Sequence, residues 1–66
     1  MNREEYTRRV LSALGRLTPK EISAVRAEID GHIEDHMAYL LDLGYDEQLA
    51  EARTMAAMGD PEEVGR

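Results

Sequence analysis

Cysteine, tryptophan and phenylalanine are all missing from this chain of 66 residues, and so is any long apolar run. Without cysteine there is no disulfide framework, no thiolate zinc site and no thiol redox centre. No stretch approaches the roughly 18 apolar residues that cross a bilayer, and the N-terminus lacks the apolar segment of a signal peptide. The expectation is therefore a soluble, cytoplasmic chain. Basic residues are also scarce: eight Lys and Arg face fourteen Asp and Glu, for a net charge of -6. That balance speaks against direct nucleic-acid binding, which needs a basic footprint. No strand pattern, internal repeat or Gly-rich phosphate loop is present, and Ser12 and Ser23 lie far in sequence from His32. Nothing in this inventory implies an enzyme or a cofactor.

A chain this short forms one domain at most. It buries only about 60% of the surface that its unfolded form exposes, so its core is marginal and a protein partner is expected. The charge is divided along the chain. Residues 1–26 carry six basic and three acidic residues, and residues 27–66 carry two basic and eleven acidic. Two solvated faces that attract each other weakly would account for this. An acidic surface offered to a basic partner would account for it too, with a basic first helix free for acidic groups or lipid headgroups.

What is present is helix punctuation, and it predicts an all-α fold. Asn2 followed by Glu5 is a capping box for a helix over 2–14, closed by Gly15. Thr18, Pro19 and Glu21 give cap, first-turn proline and box for a second helix over 19–43. On it Ile22, Val25, Ile29, Ile33, Met37, Leu40 and Leu43 form one stripe, and Gly44 then Tyr45 fit a Schellman closure. Asp46 caps a third helix over 46–58, with Leu49, Ala52 and Ala56 expected inward, Met55 and Met58 flanking, and Gly59 ending it. Asp60, Pro61 and Glu63 start a fourth helix over 60–66.

Helix length sets an architectural expectation. The second helix is roughly 37 Å long and its neighbours roughly 20 Å, so the short ones line up on different halves of the long one. Part of the stripe would then stay open unless the long helix bends at Gly31, which a lone glycine seldom forces. Ile29, Ile33, His36, Met37 and Leu40 are the expected interaction surface, and self-association through them is expected.

One constellation resembles a metal site. His32 and His36 are four apart on a helix, and Glu28 extends the row. No third distant histidine or cysteine completes it, and His36 falls within the apolar stripe beside Tyr39. A packed or interface histidine accounts for it best, with metal binding and a pH-sensitive contact as the alternatives.

Order and spacing together resemble a known family. The acidic run Glu28 to Asp35 with its histidine, the Leu40 to Gly44 break, Glu47 with the Ala-rich helix, and Met-Gly-Asp-Pro-Glu-Glu-Val at 58–64 resemble the HAAS-type domain, an HTH-associated α-helical signalling module. They also resemble the prefix domain found ahead of ABC-transporter permeases. The resemblance covers the whole chain. It implies a non-enzymatic interaction domain, partnered by a PadR-like winged-helix regulator or attached at the cytoplasmic face to a membrane protein. It further implies an N-terminal piece of a longer polypeptide, with further residues following Arg66. The usual first helix of that family is acidic, whereas this one carries Arg3, Arg8, Arg9 and Arg16. A structural homodimerisation module and a His-pair metal protein are the readings from other classes.

Overall fold

Each helix starts where a side-chain oxygen accepts a backbone N–H that the helix itself leaves unpaired. In the computed structural model, which describes residues 1–65, the elements are α1 (Arg3–Leu14), α2 (Pro19–Asp42), α3 (Glu47–Met58) and α4 (Pro61–Val64), with no strand among the described residues. Asn2 Oδ1 accepts from Glu5 N at 2.8 Å and Asp46 Oδ1 from Leu49 N at 2.8 Å. Thr18 Oγ1 accepts from Glu21 N at 3.1 Å while Glu21 Oε1 accepts from Thr18 N at 2.9 Å, a complete capping box. At the other end of α2, Gly44 adopts φ 102°. Its N–H reaches Leu41 O at 3.0 Å and that of Tyr45 reaches Leu40 O at 3.2 Å, the paired bonds of a Schellman closure. The all-α expectation and the helix order hold. The expected extension of the fourth helix to Arg66 lies outside the described residues.

The helix α2 runs unbroken through Gly31, and the molecule measures 39 × 19 × 14 Å. Its apolar stripe meets α1 and α3 around its middle. Tyr6, Val10, Ile29, Ile33 and Met55 form the core, with Val25, Met37 and Met58 packed against it. Tyr6 and Ile33 are fully buried. Salt bridges from Arg3 to Asp30 and to Glu34, both 3.6 Å, set the start of α1 beside the centre of α2. Both sides of the weak charge division thus meet, in part, inside one chain.

Two expectations are corrected. The stripe of α2 is not left open at Ile29, Ile33 and Leu40: all three are buried without a bend at Gly31, and Ile29 and Ile33 pack with Tyr6, Val10 and Met55. The inward face of α3 is Ala50, Thr54 and Met55, while Leu49, Ala52 and Ala56 face solvent. With alanines at 50, 52, 56 and 57 this helix has little contrast between its sides, and burying Met55 and half-burying Met58 removes more apolar area than burying two alanines. The start of a fourth helix does hold together, although four residues have no helical stability of their own. It is clamped onto α1. Pro61 is buried, Asp60 Oδ1 accepts from Glu62 N at 2.8 Å, and Arg9 pairs with Glu62 at 3.9 Å. At Gly65 an added Cβ would lie 2.5 Å from Val10 O and 2.7 Å from Ala13 Cβ, so only glycine lets the backbones approach this closely.

Candidate functional site

Little reactive chemistry is gathered by these helices. His32 and Glu28 are exposed on α2 and His36 is half-buried. Among the described residues no group of three His, Cys, Asp or Glu side chains is assembled to hold a metal ion. The His36 ring instead lies 6.3 Å from that of Tyr39, tilted by 50°. This is the packed arrangement that its place in the stripe favours.

The titratable groups that depart from ordinary values serve the fold. Burial, and then the charge of Asp60, push the Tyr6 hydroxyl up. That hydroxyl donates to Met58 O at 3.1 Å and closes the junction of α1 with the end of α3. Hydrogen bonding to the Thr18 backbone, and then to its side chain, holds the Glu21 carboxyl down. Thr54 Oγ1 is buried and makes no hydrogen bond among the described residues.

The five residues expected to form an interaction surface fall into two groups. Ile29, Ile33 and Leu40 belong to the interior, whereas His36 and Met37 are half-buried. Free apolar surface lies further along the chain. Tyr39 and Leu43 are each 60% exposed, and Leu41 and Leu49 also face solvent. Tyr39 and Leu43 are one turn apart on the last turns of α2, on the flank that carries His36. Leu43 was expected in the stripe, but it sits at the C-cap, where no helix lies over it. Around these residues Asp42, Asp46, Glu47 and Glu51 bring four carboxylates with no salt bridge among the described residues, and Glu47, Gln48 and Glu51 line a shallow groove of about 390 Å³. The Arg53 guanidinium lies over the Tyr45 ring at 4.8 Å.

A signal for this surface was present in the sequence as large apolar residues beside acidic ones at a helix corner, but the stripe drew attention to the middle of α2. No helix among the described residues is long and apolar enough to cross a membrane. The model of the HAAS family matches residues 5–66. The chain belongs to the HAAS family. The match takes in all four helices except the first two residues of α1, so the capped α2, the Gly44 closure and the Gly65 clamp all belong to the HAAS unit. No curated protein and no solved structure matches the chain. HAAS domains are small helical domains without a catalytic site, which agrees with an interaction module.

Proposed function

We propose that this HAAS domain is a non-enzymatic signalling module that acts by binding a protein, either as the cytosolic N-terminal part of a bacterial permease-like membrane protein or as the partner of a PadR-like transcription regulator. One observation carries the reading. The core is complete, with Tyr6 and Ile33 at zero exposure, yet Tyr39 and Leu43 remain 60% exposed at one end. Large apolar side chains left free by a finished fold are surface available to another protein.

A purely structural homodimer would draw on Ile29, Ile33 and Leu40, which already serve the interior, so the binding reading has the better support. Calorimetric titration of the domain with a PadR-like winged-helix regulator is the test. Saturable one-to-one association per domain is expected, and absence of heat and of complex at concentrations near 100 μM, on the order of the weakest specific contacts, would end the regulator reading.

A further inference from the structure

We infer that the α2–α3 end of this domain is the docking site, and that its occupant is a cationic amphipathic helical segment of another protein. The inference rests on the proposed protein-binding function and adds the surface and the chemistry of the partner. Its starting point is geometry. The α2 helix has 24 residues, roughly 36 Å at 1.5 Å each, and the longest dimension of the molecule is 39 Å, so the two ends of α2 are the two ends of the domain. At the far end Tyr39 and Leu43 project from one flank of α2, with Leu49 on the first turns of α3 just beyond the Gly44 corner.

Charge then selects the occupant. From Ala27 to Ala52 the chain has eight carboxylates and no Lys or Arg. Arg3 offsets two of them, Asp30 and Glu34, near the middle of α2. Asp42, Asp46, Glu47 and Glu51 at the corner form no salt bridge among the described residues, and with the single cation Arg53 laid over the Tyr45 ring the corner keeps a net negative charge beside the apolar side chains. A helical segment carrying large apolar residues flanked by Lys or Arg matches both features.

The other occupants fit worse. A symmetric pair formed by a second copy through this corner would set one acidic corner against another. A head-to-tail contact with the end bearing Arg16 and Lys20, where Leu14 and Val64 are exposed, would build an open chain rather than a closed oligomer. Anionic lipid headgroups would be repelled.

The test uses the full chain, labelled with ¹⁵N, and a Leu/Lys amphipathic peptide of about 15 residues, long enough to form a marginal helix. Saturable amide shifts are expected over Tyr39 to Glu51. The affinity should fall at least about tenfold in Tyr39→Ser with Leu43→Ser, and similarly in Asp42→Lys with Glu51→Lys. Tyr39, Leu43 and Asp42 are exposed and Glu51 is half-buried, and unchanged circular dichroism and melting temperature would show that the fold is intact.

The proposal is overturned if shifts centre elsewhere or do not appear, if the double variants bind like the parent, or if a Leu/Glu peptide of the same pattern binds equally well. Binding of phosphatidylglycerol vesicles at this corner, or sedimentation of the free chain as a dimer that Leu43→Ser dissociates, would overturn it as well. A regulator complex unaffected by the double variants would sink the site while leaving the proposed function standing. Peptide binding at the corner without any regulator complex would do the reverse.

Discussion

The hydroxyl of Tyr6 donates to the carbonyl oxygen of Met58 at 3.1 Å, joining the first turns of α1 to the last residue of α3 across 52 positions of sequence. Around this contact α1, the middle of α2 and α3 share one core, since Tyr6 packs with Ile29, Ile33 and Met55. Tyr6→Phe keeps the ring and leaves the Met58 carbonyl without its donor. Loss of about 1 kcal/mol is expected, which for a domain of this size lowers the melting temperature by about 4–8 °C. Differential scanning calorimetry reads it directly.

Two glycines of α-helical surroundings should respond to alanine with opposite signs. At Gly31 a Cβ would meet nothing within 4 Å, so Gly31→Ala should stabilise α2 by about 1 kcal/mol through helix propensity. At Gly65 the same methyl would strike the Val10 carbonyl and Ala13. Gly65→Ala should cost about 1–3 kcal/mol as overpacking and loosen α4 from α1. Urea unfolding of the two variants checks both signs together.

Thr54 is fully buried and its hydroxyl has no hydrogen-bond partner among the described residues, which is an unfavourable state for a polar group. Valine has nearly the same shape without the hydroxyl. Thr54→Val is therefore expected to raise stability by about 1 kcal/mol, read as a higher urea midpoint with an unchanged slope.

The capping box of α2 gives a pH dependence of known sign. Hydrogen bonds to Thr18 hold the Glu21 carboxyl below its ordinary value in the folded chain. Its contribution is present above the unfolded pKa, about 4.3, and is lost as pH falls through the lower folded value. The side chain is exposed, so the effect is local. Between about pH 6 and pH 2, the amides of Thr18 and Glu21 should lose protection before those of Ile33, and Glu21→Gln should flatten that early step.

Helix ends were readable in the sequence because caps act locally. Asn2, Thr18 with Pro19 and Glu21, and Asp46 each accept a backbone N–H three residues on, and Gly44 supplies a backbone conformation that side chains disfavour. No partner elsewhere in the chain is needed for any of these. The orientation of α3 was not readable. Its alanines lie on several sides, and the choice of Met55 over Leu49 depends on where the Gly44 corner aims the helix against Ile33 and Leu40. The clamp at Gly65 was hidden for the same reason, since it requires Val10 and Ala13 to be near. The candidate surface was half legible. His36 and Met37 keep partial exposure, but Tyr39 and Leu43 emerge only once α1 and α3 have taken up the rest of the stripe.

The central claim, that this HAAS domain works by binding a protein through surface its own core leaves free, is tested most directly by hydrogen–deuterium exchange of the full chain with and without a PadR-like regulator, the proposed partner. Slower exchange is predicted at Leu40 to Glu51, with α1 unchanged. Equal exchange at every amide in the two samples, under conditions where the regulator is folded and in excess, would contradict it.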